Sequence, residues 1–163
     1  MSMTTPEETV LEKTKQRLAE QVIQFFQHQM PFNTHLGMQV SVENDDQVTI
    51  RLPWQNTLTG NSIHQILHGG VTASMLDTVG GLTAILHAIR NLEADGITDF
   101  ESKFRNMGTI DMRVDYLRPG KGEVFIATAQ VIRKGNKVAV CRMELHNESG
   151  THIAFGTGTY MVG

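Results

Sequence analysis

"HQILHGGVTASMLDTVGGLTAILHAI" spans residues 64–89. It reads as core almost throughout after His68, opens on Gly69 and Gly70, and holds one carboxylate, Asp77. A run of this length approaches membrane-spanning size. Yet Thr72, Ser74, Asp77, Thr78, Thr83 and His87 interrupt it, so the pattern predicts a buried central helix from about Gly69 to Ile89. Such a helix must be covered, and the flanking sequence says by what.

After it come four strand-like segments, at about 108–118, 122–133, 136–147 and 151–162. "RPGKG", "RKGNK" and "NESGT" mark the turns between them. Alternation in the first places Ile110, Met112, Val114 and Tyr116 on one face and Thr109, Asp111, Arg113 and Asp115 on the other. Before the helix, "LGMQVSVENDDQVTIRLPW" predicts a hairpin turning at "ENDD", with Val48, Ile50 and Leu52 facing inward. Residues 7–29 predict an amphipathic helix. Thr4 or Thr5 caps it, Pro6 suits its first turn, Glu7 and Glu8 favour its positive end, and Pro31 stops it. Val10, Leu11, Leu18, Val22, Phe25 and Phe26 mark its apolar side. "QNTLTGNSIHQIL" and "NLEADGITDFESKFRNMG" read as loose connections. The simplest architecture is α+β: a long central helix wrapped by a curved antiparallel sheet, with an additional N-terminal helix. It is one domain over 1–163, with 1–32 a helical extension and 33–163 the core.

Composition narrows the function. The net charge of -3 and the lack of a basic run argue against nucleic acid or an anionic membrane as partner. One cysteine, Cys141, rules out an intrachain disulfide and points to the cytoplasm. The stretch "MSMTTPEETVLEKTKQRLAEQ" has no apolar run of the kind a secretory signal needs.

Chemistry concentrates on the central helix. The first N–H groups of a helix lack internal partners. With Gly69 and Gly70 there, a ligand oxygen can approach, and the dipole favours a developing oxyanion. The same glycines also serve merely to turn the chain into the helix. Asp77 needs a partner or a chemical role, because burying an unpaired carboxylate is costly. Ser74 and Thr78 are candidate partners, and partial desolvation moves a carboxyl toward general-base duty. Gly70 and Asp77 are seven residues apart, about 10 Å along the axis. That is too far for both to serve one carbonyl, which points to a dimer with two composite sites.

Other signals are weaker. His64 and His68 are four apart, but no third ligand completes a metal set, so no metal is expected. Asn61 is either a turn residue or a group aimed at a carbonyl or water. Met38, Met75, Met107, Met112 and Leu82 are either pocket wall or packed core.

"LHGGVTASMLDTVGG" resembles the signature of hotdog-fold acyl-CoA thioesterases of the phenylacetate-degradation (PaaI-like) type, with an acidic residue nine positions after the His of HGG, as in His68 and Asp77. "TIDMRVDYLRPGKGEVFIATAQVIRKGNKVAVCRMELHNESGTHIAFGTGTYMV" resembles that family's remaining strands. The match runs over about 33–162.

The resemblance implies a hydrolase that cleaves acyl-CoA, or a related acyl thioester, to acid and thiol. It implies homodimers with joined sheets, and often homotetramers. Asp77 would be general base or nucleophile, Gly69 or Gly70 would polarise the carbonyl, and His68 would shape the turn. Asn61 would place the water or carbonyl, and Thr109 stands where some relatives carry an assisting Ser. Arg118, Lys134, Gly135 and Asn136 would meet the nucleotide end of CoA. No cofactor is implied, CoA being part of the substrate. Two rivals stay open: a hotdog acyl-CoA hydratase or dehydratase, and a non-catalytic acyl-CoA or fatty-acid binding module.

Overall fold

The computed structural model describes residues 6–43 and 47–163. The proposed caps Thr4 and Thr5, and most of the "ENDD" turn, lie outside these residues.

The first helix, α1, is Pro6–Gln24, with Glu7 and Glu8 in its first turn. It does not run on as α-helix to residue 29. Phe25–Gln29 form a π-helical turn, the chain breaks at Met30, and α2 (Pro31–Leu36) restarts with Pro31 in its first turn. Proline cannot accept the preceding helix but suits the start of the next. Gly37 ends α2 in the left-handed region (φ 81°), donating its N–H to the carbonyls of Asn33 and Thr34. Only the later part of the predicted apolar side packs. Leu18, Val22, Ile23, Phe25 and Phe26 reach the core, while Val10 is 65% exposed.

The hairpin is β1 (Gln39–Glu43) and β2 (Gln47–Pro53). Val48, Ile50 and Leu52 are all fully buried, as the alternation predicts. Each such side chain contributes about 2 kcal/mol by leaving water. The polar connection that follows is more ordered than its composition implies. A 3-10 turn (Asn56–Leu58) leads into β3 (Thr59–Asn61) and β4 (Ile66–Leu67), which pair as a small separate sheet.

The central helix, α3, is Gly69–Arg90. Met75, Leu76, Val79 and Leu82 are completely buried on it. It is long and apolar enough to cross a membrane by length and composition, but most of its apolar window is buried inside the protein. The segment expected to be loose carries two short helices, α4 (Ala94–Thr98) and α5 (Phe100–Asn106). Phe100 and Phe104 pack α5 onto the core, a tertiary gain that local composition does not display.

Four strands follow: β5 (Gly108–Tyr116), β6 (Val124–Lys134), β7 (Val138–Asn147) and β8 (His152–Met161). With the hairpin they form one antiparallel sheet in the order β1-β2-β6-β7-β8-β5. Its inner face, including Phe125, Ala127, Cys141, Met143 and Leu145, closes on α3 without residual exposure. The sheet's two edges are β1 and β5.

Candidate active site

Residues 68–70 build the head of α3. The His68 ring folds back as N-cap: its Nδ1 accepts the Gly70 N–H at 2.9 Å. The Val71 and Thr72 N–H groups both donate to the His68 carbonyl. Among the described residues the Gly69 N–H meets no acceptor, so the structure separates the two glycines. Gly70 is committed within the chain, and Gly69 keeps the free donor. The Gly69 carbonyl accepts the Tyr116 hydroxyl at 2.7 Å. That ring lies so close that a Cβ on Gly69 would stand 3.3 Å from it. Tyr116 therefore pins the head peptide, a role its position in an alternating strand does not announce.

Asp77 is half-buried, on a stripe of α3 with Ser74, Thr78 and Gly81. The expected partners are not its partners. Ser74 donates to the Gly70 carbonyl at 2.7 Å and Thr78 to the Ser74 carbonyl at 2.8 Å. A helical hydroxyl finds the carbonyl one turn back more easily than a neighbouring side chain. The partner of Asp77 comes from the sheet: Thr109 Oγ1 donates to Asp77 Oδ1 at 2.8 Å. Strict alternation would put Thr109 with Asp111 and Arg113. The register of β5 against β8 slips between Thr109 and Asp111, with Thr109 opposite Tyr160 and Asp111 opposite Thr159. Ile110 is the extra residue, half exposed. A bulge of this kind re-aims one side chain, here Thr109, toward α3.

Tyr160 backs the site from β8. Its hydroxyl points at the Asp77 carbonyl (3.4 Å) and Met143 Sδ (3.9 Å). Burial first, then the Asp77 and Cys141 charges, push its phenol well above the ordinary value. Its ring fits only because Gly80 and Gly158 flank it. A Cβ there would come within 2.2 Å and 2.6 Å of Tyr160 Oη.

A cavity of ≈ 330 Å³ opens beside Asp77 and Thr109, and its remaining walls are largely apolar: Phe25, Phe26, Met30, Ile85, Phe104 and Met107. Of the five candidate pocket residues only Met107 lines it. Met38, Met75 and Leu82 are core, and Met112 packs against that core. The N-terminal segment and α5, both silent in the motif, supply most of the apolar wall.

The other predicted residues lie elsewhere in the chain. Asn61 Oδ1 accepts the N–H groups of Ile63 (3.0 Å) and His64 (3.2 Å). It thus holds the turn before the helix head and does not line the Asp77 cavity. Arg118 donates to the His152 carbonyl at 3.0 Å, where β8 begins. Lys134 ends β6, and Gly135 and Asn136 occupy the β6–β7 turn beside the end of β8. Arg118 and that turn therefore stand at opposite ends of the sheet and cannot meet one small group within one chain. His68 serves as the helix cap through Nδ1, and among the described residues His64 and His68 do not gather with a third donor. Among the described residues, Glu144, His146 and His152 do bring donor atoms within 4.8 Å of one another. They sit on the outer sheet face, and the two rings stack (4.4 Å, 14°) rather than converge.

This helix-in-sheet frame, with HGG at the helix head and a carboxylate two turns on, is a hotdog thioesterase arrangement. The family described as the thioesterase superfamily matches residues 64–154, and the chain belongs to it. The chain is 43% identical, over 92% of its length and 97% of the relative's, to the medium/long-chain acyl-CoA thioesterase YigI of Escherichia coli. A crystal structure from Shewanella oneidensis, described as related to the thioesterase superfamily, is 50% identical with a TM-score of 0.87, covering 91% of this chain and 97% of that one. The E. coli PaaI protein from the phenylacetic acid degradation operon shares the fold (TM-score 0.69, 20% identity, 93% and 95% covered).

Proposed function

We propose that this chain hydrolyses acyl-CoA thioesters, of the medium- to long-chain class in its E. coli relative's name, to free acid and CoA thiol. The observation that carries the reading is the Asp77–Thr109 pair at the wall of an apolar cavity. The acyl chain lies in that cavity with its carbonyl near Asp77. Thr109 occupies Oδ1, and Oδ2 takes a proton from water as the water oxygen adds to the carbonyl carbon. The carbonyl electron pair moves onto oxygen and is held by a free helix-head N–H, that of Gly69. Collapse breaks the C–S bond, and the leaving thiolate takes the proton from Asp77.

Gly69 and Asp77 are eight residues apart on one helix, about 12 Å along the axis. The donor and the base therefore come from two chains. The long β5 edge supports this: among the described residues Gly108–Tyr116 pairs only with β8, which leaves a row of backbone groups for a second copy. Arg118 at one end of the sheet and Lys134–Asn136 at the other remain candidates for the nucleotide, contributed by different chains. Assembly into tetramers and a cytoplasmic setting, where Cys141 stays reduced, belong to the same reading. No cofactor enters it. A hydratase would need His68 and Asp77 in one site, and nine residues apart they lie near opposite faces of the helix.

The test is subunit mixing. Asp77→Asn removes the base. Gly69→Pro removes the free N–H, and proline is accepted at the first helical position. Each variant alone should release almost no thiol from acyl-CoA. Co-refolded together they regain one intact site per mixed dimer, and activity returns. Two active single variants, or a mixture as inert as its parts, would overturn the two-chain site. A wild type that binds acyl-CoA without releasing thiol would make the protein a binding module.

A further inference from the structure

We infer that Phe25 and Phe104 set the length of acyl chain this protein accepts, an inference that rests on the acyl-thioesterase reading. A second space adjoins the Asp77 cavity across two of its lining rings. It is a groove of ≈ 570 Å³ between α1 and α5, with Leu18, Val22 and Phe100 on its floor. The cavity and the groove share two lining residues, Phe25 and Phe104. Their rings meet edge to face, centroids 5.9 Å apart at 83°. Phe100 stacks behind Phe104 (5.9 Å, 28°), and Phe26 stands behind Phe25 (6.1 Å, 72°). The partition between the two spaces is thus a pair of half-buried rings, each braced from one side.

This pair acts as a step rather than a stop. A medium chain is housed between Asp77 and the rings. A longer one must part them, which costs a factor of about 2 to 12 in affinity for an aromatic pair of this kind. Each methylene that then enters the groove returns about fourfold. Two methylenes past the rings outweigh the cost, so long chains are admitted and intermediate ones meet the step.

The two rings come from different additions to the helix-and-sheet frame. Phe104 stands on α5, inserted between α3 and β5. Phe25 opens the π-helical turn, and turns of that kind recur at functional sites. The N-terminal helix therefore supplies one leaf of the gate and one wall of the groove. The groove's charged lining residues, Arg17, Glu20, Glu101 and Arg105, are all exposed, which leaves the apolar floor for the chain end.

The experiment measures kcat/KM for saturated acyl-CoAs from six to eighteen carbons on wild type, Phe104→Ala, Phe104→Trp and Phe25→Trp. Binding of hydrolysis-inert acyl-CoA thioethers of the same lengths is measured by calorimetry. Phe104→Ala should raise the ratio of long- to medium-chain kcat/KM by about 2- to 12-fold, the cost of parting the rings. Either tryptophan should lower it by a similar factor, and the thioether affinities should move in parallel. If Phe104→Ala does not fold, the two tryptophan variants carry the test. Folded variants that keep the wild-type length profile within twofold overturn the gate. Thioether binding that follows the gate variants, with no thiol released by wild type, leaves the gate standing and removes the hydrolytic reading. Length-independent thioether binding and no turnover would remove both.

Discussion

The Thr109 hydroxyl donates to Asp77 Oδ1 at 2.8 Å, across 32 positions of sequence. One extra residue in β5 makes the bond possible. The bulge at Ile110 turns Thr109 inward, while Met112 and Val114 keep their ordinary inward alternation. The carboxylate that looks isolated within an apolar helix is thus held from the sheet, at the edge of a cavity.

Thr109→Val should therefore lower kcat about tenfold in the thiol-release assay, since a hydrogen bond to a charged group is lost while shape is kept. Thr109→Ser should retain most of the activity. A loss in Thr109→Ser with none in Thr109→Val would show that the methyl group, not the hydroxyl, matters.

Asp77→Asn should keep the fold, because its amide oxygen can still accept from Thr109. Turnover should fall by about 10²–10⁴, the range for loss of a general base. A near-native rate with unchanged melting would remove Asp77 from the chemistry.

His68→Ala tests the cap. Losing the acceptor for the Gly70 N–H should cost about 1 kcal/mol, lowering Tm by about 2–4 °C for a chain of this size. Calorimetry reads it directly, and an unchanged Tm would mean that water caps the helix as well as the ring does.

The two adjacent glycines of "VGG" should behave differently. Gly80→Ala drives a Cβ to 2.2 Å from Tyr160 Oη and should cost about 1–3 kcal/mol through overpacking. Gly81→Ala meets nothing nearer than 3.6 Å. It should melt at or above wild type, since alanine suits a helix better by about 0.5–1 kcal/mol. Equal melting of the two variants would mean that Tyr160 moves aside freely.

Cys141 is fully buried, and desolvation pushes its thiol up to about 12. Only the thiolate reacts, so iodoacetamide should leave the folded protein unmodified at pH 8–9 and label it fully in urea. The raised value also fixes the sign of an alkaline effect. Above the ordinary thiol range the unfolded chain ionises and the folded one does not, so stability falls as pH rises. Rapid labelling of the native protein would contradict the burial.

Much of this was legible in residue order. Periodicity located α3, the hairpin and all four later strands, because each buries one face and a buried face writes itself into the sequence as a period. The HGG motif and the nine-residue spacing from His68 to Asp77 marked the helix on which the candidate site is built. What only the tertiary structure decided is where alternation breaks or where distant segments meet. A bulge is a count of backbone pairings between two strands, so nothing local in "GTIDMRV" declares that Ile110 is the extra residue. The choice between Gly69 and Gly70 turned on the rotamer of one imidazole. The wall of Phe25, Phe26 and Phe104 joins segments about eighty residues apart, whose compositions read as an amphipathic helix and a loose connection. Packing between such segments is a property of the folded surface, so it has no period and no spacing to read.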